Sequence, residues 1–360
     1  MKKILIGEIS SYKAIVIAKY LKKYYSDVAI CAYDYNKRIT SVHTRYCDEF
    51  VLVPSPKIDP QSHLRHLRQL IEDKTINLFI PVPSDMYGEY IKNKKMFGEA
   101  FAYIGNYDQF ERLHDKEKLE KLLAELNIKR PRTFDSYDSA EPPFVIKPTN
   151  LSSARGVKYV FNEKDRNAHK AHYNSEQIIQ EYVKGVGVGY SVFARNGKIL
   201  NGYGHVRLAE QPITGGSSVY RDSYYDTRMR EMAAQIVRAT KWSGFAMLEF
   251  KLTDEDEIYV IEVNPRIWGS INQGLQNGCN YFAPLLGTSS LTINETVQWK
   301  TYLSPLIYLS LINYLAKRDL RPLKTFLRNI RRNRADVSCL DDPRGFASLI
   351  IRKMSPGIHA

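Results

Sequence analysis

Only four cysteines occur in 360 residues, Cys31, Cys47, Cys279 and Cys339, and they stand far apart with neither metal-ligand nor redox spacing. That scarcity argues against a disulfide scaffold and suits a reducing compartment, so a cytoplasmic location is expected. The chain also lacks any run near the roughly 18 apolar residues that a membrane-spanning helix needs. Lys2 and Lys3 precede an apolar stretch, but Glu8 interrupts it and no small-residue cleavage site follows. The stretch therefore reads as a first strand rather than a signal peptide. Gly-x-Gly-x-x-Gly is missing after that strand, where the chain runs Gly7-Glu8-Ile9-Ser10-Ser11, so a dinucleotide site has no support. No convincing Ser/His/Asp or Cys/His arrangement is present, and neither is an internal repeat.

Acidic residues are the scarcer charge: 39 Asp and Glu stand against 52 Lys and Arg, for a net charge of +13. Such an excess points to an anionic partner such as nucleotide, nucleic acid or a membrane surface. Much of it lies in Lys317, Arg318, Arg321, Lys324, Arg328, Arg331, Arg332 and Arg334, after an apolar helical stretch from Leu303 to Leu315. This segment either makes peripheral contact with an anionic membrane, meets a protein partner, or is a solvated basic helix. No recognition motif accompanies the charge, so no specific nucleic-acid partner is expected.

Short β-type runs at Lys3 to Gly7, Val28 to Tyr33, Phe50 to Val53 and Leu78 to Pro81 alternate with helical stretches at Tyr12 to Tyr25 and His63 to Glu72. That alternation predicts a parallel α/β unit. Ser84 and Asp85 follow the fourth strand, where open α/β sheets bind ligands, although they serve equally as a helix cap. A second unit opens at His114-Asp115-Lys116 with Asp115 as cap, and from Phe144 onward strands dominate in an α+β pattern. The expected division is 1–110, 111–295 and a basic, partly helical extension over 296–360.

The densest chemistry lies in a hairpin. Phe245 to Leu252 and Ile258 to Asn264 read as strands around the acidic turn Thr253-Asp254-Glu255-Asp256-Glu257. A turn centred between Glu255 and Asp256 sets Leu252 opposite Tyr259 and Glu249 opposite Glu262, with Asn264 on the same face as Glu262. Like charges opposed across a ladder cost up to about 1 kcal/mol. Two such carboxylates amid Phe245, Met247, Leu248, Phe250, Ile261 and Val263 therefore call for a counterion or a proton, and hard oxygen ligands with room for water and phosphate suit magnesium. The alternative is a solvent-facing hairpin.

Four other pieces surround it. Lys147 ends an apolar strand before the small-residue loop Ser152-Ser153-Ala154-Arg155-Gly156, a candidate phosphate cradle. Gln180-Glu181-Tyr182-Val183 is an apolar strand whose main chain can read an adenine edge, or a plain edge strand. His205 and Arg207 alternate onto one face as cations ahead of Gly215-Gly216-Ser217, a loop suited to cover an anionic substrate or to be a simple turn. Arg266 follows Pro265, positioned to meet charge developing on a transferred phosphate.

In this order the pieces resemble the ATP-grasp superfamily, most closely its carbamoyl-phosphate-synthase-like and carboxylate–amine ligase branch, over about residues 1 to 290. The resemblance implies a Rossmann-like pre-ATP-grasp domain, then an ATP-grasp fold, then the basic helical tail. It implies that Lys116 and Lys147 contact ATP phosphates, that Glu181 and Val183 hold the adenine, that Ser152, Ser153, Gly156 and Tyr182 also belong to the ATP site, and that Glu249, Glu262 and Asn264 bind magnesium, or manganese in its place. His205, Arg207, Gly215, Gly216 and Ser217 become substrate-binding and Arg266 catalytic. Gly187-Val188-Gly189 departs from the family pattern, standing where many members carry an acidic ribose ligand. The implied reaction joins a carboxylate to an amine through an acyl phosphate, releasing ADP and phosphate. A kinase on the same fold and a non-catalytic nucleotide-binding regulator are the alternatives.

Overall fold

A computed structural model describes residues 1–83, 85–150, 156–212, 216–288 and 298–355. Four parallel strands open the chain: β1 (Lys2–Ile6), β2 (Val28–Asp34), β3 (Glu49–Leu52) and β4 (Leu78–Ile80), in the order β3-β2-β1-β4. Apolar residues such as Ile4, Leu5 and Ile6 are fully buried, as in a sheet covered on both faces. Helices Tyr12–Tyr24 and Pro60–Asp73 begin where Ser11 and Asp59 accept backbone N–H groups, from Ala14 and Ser62.

The expected boundary after residue 110 falls inside a helix, Tyr107–His114. Asn106 and Gln109 close a capping box at its start. Asp115 ends that helix and caps the next, Lys116–Glu125, accepting from the N–H of Lys118 at 2.9 Å. A small antiparallel sheet follows, built from β5 (Thr133–Phe134), β6 (Phe144–Pro148), β7 (Lys158–Val160) and β8 (Gln177–Glu181) in the order β5-β8-β6-β7.

The largest sheet has seven strands. It contains β9 (Val186–Arg195), β10 (Lys198–Gln211), β11 (Ser217–Ser223), β12 (Gly244–Leu252), β13 (Ile258–Asn264), β14 (Lys300–Tyr302) and β15 (Asn333–Ala335), ordered β13-β12-β9-β10-β11-β14-β15. The C-terminal segment thus carries helices as expected and also supplies β14 and β15, so it completes the sheet instead of hanging from it. A buried ion pair clasps it there, Arg221 Nη2 donating to Asp336 Oδ2 at 2.7 Å with neither side chain exposed. The helix Pro343–Met354 reaches the first sheet, where Arg352 Nη2 donates to Glu8 Oε2 at 2.5 Å. Among the described residues no helix is long and apolar enough to cross a membrane.

Candidate functional site

The β12–β13 hairpin pairs Glu249 with Glu262, but not by the uniform register expected. Leu252 faces Ile258 rather than Tyr259, and Lys251 faces Tyr259. A bulge between Glu249 and Phe250 then shifts the ladder by one residue and restores the carboxylate pair. Asn264 Nδ2 donates to Glu262 Oε1 at 2.8 Å and to Glu249 Oε1 at 3.3 Å, so the amide nitrogen bridges the two acids. Arg266 Nη2 in turn donates to Asn264 Oδ1 at 2.7 Å, which fixes that orientation of the amide. Glu249 also receives Arg207 from β10, whose Nη1 donates to Glu210 Oε1 at 3.2 Å.

One cleft is lined by Lys116, Lys147, His205, Arg207, Gly216, Ser217, Glu249, Glu262, Asn264 and Arg266. The fold therefore brings together these ten of the expected site residues, although they come from positions 116 to 266 of the chain, while Gly156 is not among the lining residues. Glu181, Tyr182 and Val183 do not line it. They lie at or just beyond the end of β8, where Tyr182 meets Tyr159 and Phe161 edge-on at 6.0 and 5.1 Å, and Tyr159 with Val157 forms the adjoining wall. Gly156 adopts φ 72°, a conformation that favours glycine. Ser84, Ser152, Ser153 and Gly215 lie outside the described residues.

Electrostatics divide the two acids. Burial pushes the Glu249 carboxyl up, the Arg207 guanidinium opposes this, and the charge of Glu262 adds to the rise. Burial also works against Glu262, but Lys116, the Asn264 amide, Lys147 and Arg266 together hold it below the usual carboxylate range. Lys147 is drawn down to about 8, chiefly by burial, while its Nζ donates to Gln180 Oε1 at 2.9 Å. His205 is not the cation expected: burial first, then Arg207 and Arg221, lower it to about 3, so the imidazole is neutral.

The glycines that depart from the family pattern make room for this wall. A Cβ on Gly187 would lie 2.8 Å from Arg207 Cδ, and one on Gly189 would lie 2.4 Å from His205 Cε1. His205 is only 2% exposed and cannot swing aside. Gly189→Ala is accordingly expected to destabilise the fold by about 1–3 kcal/mol, the usual cost of overpacking, read as a lower urea midpoint at unchanged slope.

Sequence reading missed part of the cleft's lining, Tyr12 and Lys13 of the first helix with Trp268, Gly269 and Ser270. Lys13 Nζ donates to Val82 O at 3.2 Å, and burial, then Arg266, draws it down to about 7. Asp85 acts on Lys13 and Arg266 alike, favouring both charges. The available signal was topological: these residues follow the carboxyl edges of β1 and β4, where such sheets bind ligands.

Among the described residues no three His, Cys, Asp or Glu side chains cluster as metal ligands. The donor set here is instead two carboxylates and one amide. It fits magnesium, because the bridging Nδ2 of Asn264 already stands where a positive group relieves the repulsion between two hard carboxylate ligands. Among the described residues, the buried nitrogens Nε of Arg207 and Arg266 and Nε2 of His205 have no hydrogen-bond partner.

A family model described as an ATP-grasp domain matches residues 113–270. A 5-formaminoimidazole-4-carboxamide-1-(beta)-D-ribofuranosyl 5'-monophosphate synthetase of Pyrobaculum calidifontis is 24% identical over 197 residues, 54% of this chain and 55% of that protein. A D-alanine–D-alanine ligase of Lactobacillus gasseri is 28% identical over 136 residues, 33% of this chain and 38% of that protein. The chain thus spans about half or less of the length of these two relatives. Among solved structures, the biotin carboxylase domain of Hydrogenobacter thermophilus 2-oxoglutarate carboxylase, in complex with MgADP, ADP and bicarbonate, is similar in fold. Its TM-score is 0.62 at 13% identity, covering 78% of this chain and 67% of that one.

Proposed function

From an ATP-grasp domain at residues 113–270, we propose that the chain is an ATP-dependent carboxylate–amine ligase. A carboxylate oxygen of one substrate attacks the γ-phosphorus of ATP, the bond to ADP breaks, and an acyl phosphate forms. An amine nitrogen then attacks the acyl carbon, the bond to phosphate breaks, and the nitrogen gives up its proton. The reading rests above all on one observation: Glu249 and Glu262, bridged by Asn264 and backed by Arg266, share a cleft with Lys116 and Lys147.

Each side chain has a task in this scheme. Lys147 and Lys116 bind phosphate oxygens as point charges, Lys147 steadied by Gln180. Glu249, Glu262 and Asn264 would hold magnesium, which would neutralise charge on the phosphates. Arg266, 5% exposed, meets the carboxylate and the oxygens of the acyl phosphate from a dry wall. Tyr12 and Lys13 line the same cleft, with Trp268. Neutral His205 accepts or donates one hydrogen bond without adding charge, and no side-chain nucleophile is needed.

The direct test supplies ATP, magnesium and a panel of carboxylates with hydroxylamine as a general amine. Hydroxamate with stoichiometric ADP is expected. A stable phosphorylated product without hydroxamate would point to a kinase, and absence of turnover, or AMP as product, would sink the proposal. Lys147 adds a pH signature. Near pH 8 it is about half deprotonated in the free protein, and triphosphate favours its charged form. Nucleotide binding at pH 8 is therefore expected to take up protons, and affinity to fall as pH rises through that value. Calorimetry in buffers of different ionisation enthalpy measures the uptake, which Lys147→Met should remove.

A further inference from the structure

The helix Leu306–Ala316 is apolar around nearly its whole circumference, with the sequence LIYLSLINYLA. Helices of that composition are normally buried on all sides. This one is not. Its inner arc, Ile307, Ser310 and Leu311, packs against Val219 and Tyr220 of β11, while Tyr308, Leu309, Ile312 and Leu315 are 53, 48, 61 and 40% exposed. Residues 308, 309, 312 and 315 fall on one side of an α-helix, so the exposed side chains form a continuous apolar stripe.

The next helix, Arg321–Arg328, is mounted on the same cluster through Leu323 and Phe326. Its outer arc carries Arg321, Lys324 and Arg328, which helical spacing brings to one side. Leu327 and Ile330 are exposed beside them at 57 and 64%. Between residues 317 and 334 there are eight Lys or Arg against a single Asp, Asp319, which pairs with Arg321. An apolar stripe alone fits many protein partners, and a cationic patch alone fits any polyanion. Their juxtaposition on two consecutive helices packed on one cluster, each too short to span a bilayer, matches the chemistry of an anionic lipid interface.

We propose that the outer faces of the helices Leu306–Ala316 and Arg321–Arg328 dock the protein peripherally on an anionic lipid surface, the apolar stripe entering the headgroup boundary and the cations meeting lipid phosphates. The inference is independent of which reaction the cleft performs. It has a consequence for the cleft nonetheless. Ser310 Oγ donates to Glu210 O at 2.8 Å, and the N–H of Glu210 donates to Tyr314 Oη at 3.3 Å. Glu210 holds Arg207, which reaches Glu249, so the docked helix anchors the strand end that carries part of the cleft wall.

Flotation of the full chain with vesicles tests this. Binding to phosphatidylcholine vesicles containing phosphatidylglycerol is expected, with little binding to pure phosphatidylcholine, and high salt should weaken it. The triple variant Arg321→Gln/Lys324→Gln/Arg328→Gln is expected to lose affinity on the order of a hundredfold, since each cation near such a surface is worth about fivefold. Ile312→Gln should weaken binding at unchanged charge. All four side chains are outward-facing, so the variants should retain the parent's circular dichroism and melting profile. Equal binding to both vesicle types, or no binding to either, would overturn the proposal. So would a dimer that Ile312→Gln dissociates, which would make a second copy the occupant, or capture of RNA in place of vesicles.

Discussion

Glu249→Gln and Glu262→Gln are each expected to remove ATP turnover while moving the thermal midpoint of the metal-free protein in opposite directions. The activity loss follows from the metal-holding task proposed for the pair. Neutralising phosphate charge with a bound metal is worth several kcal/mol, and at about 1.36 kcal/mol per decade the loss is about a thousandfold. Either substitution removes one of two carboxylates from a set completed only by Asn264.

Stability separates them because their environments differ. The Glu249 carboxyl is raised, burial being the main cause, so its charge is less favourable in the folded chain than in the unfolded one. For an acid with a raised folded value, stability falls as pH rises from the unfolded value to the folded one. Above the folded value that cost is fully present, and there Glu249→Gln should lift the midpoint. Glu262 is lowered by Lys116, Asn264, Lys147 and Arg266 against the pull of burial. Its contribution is present above the unfolded value and is lost as pH falls through the folded one, so Glu262→Gln should depress the midpoint. Scanning calorimetry with chelator, beside a coupled ADP assay, measures both readouts. Shifts of the same sign would refute this division of roles.

How much of this was legible beforehand depended on whether local pattern carried the answer. Asp115 as a cap and the two strands flanking the acidic turn are local, and the observed elements begin and end within a residue or so of those expected. The facing of Glu249 and Glu262 was reached through a register wrong at Leu252, because a bulge leaves no pattern in a run of alternating apolar residues. His205 looked cationic since only tertiary burial makes it neutral. Lys13 could not be placed at the cleft without knowing that the first helix packs near Trp268 and Arg266. β14 and β15, three residues each, are too short to show a period, and the pairing of β14 with β11 and of β15 with β14 is a long-range fact.

That last pairing sets the second large effect: Asp336→Ala is expected to cost about 3–5 kcal/mol, the range for leaving one partner of a buried pair uncompensated. Arg221 Nη2 and Nη1 donate to Asp336 at 2.7 and 3.4 Å, and Asn272 Nδ2 donates to Asp336 Oδ1 at 3.0 Å. Arg221 and the side chain of Asp336 are wholly excluded from solvent. Without the carboxylate the guanidinium is stranded beneath β11, close enough to influence Tyr12 and His205 in the cleft. The midpoint should therefore drop on the order of 10 °C. Replacing both partners by apolar residues, Arg221→Met with Asp336→Leu, removes the stranded charge and is expected to recover most of the loss. Recovery would show that the cost lies in the unpaired ion. Were the single variant instead to melt with the parent, the C-terminal segment would not be clasped into the sheet by this pair.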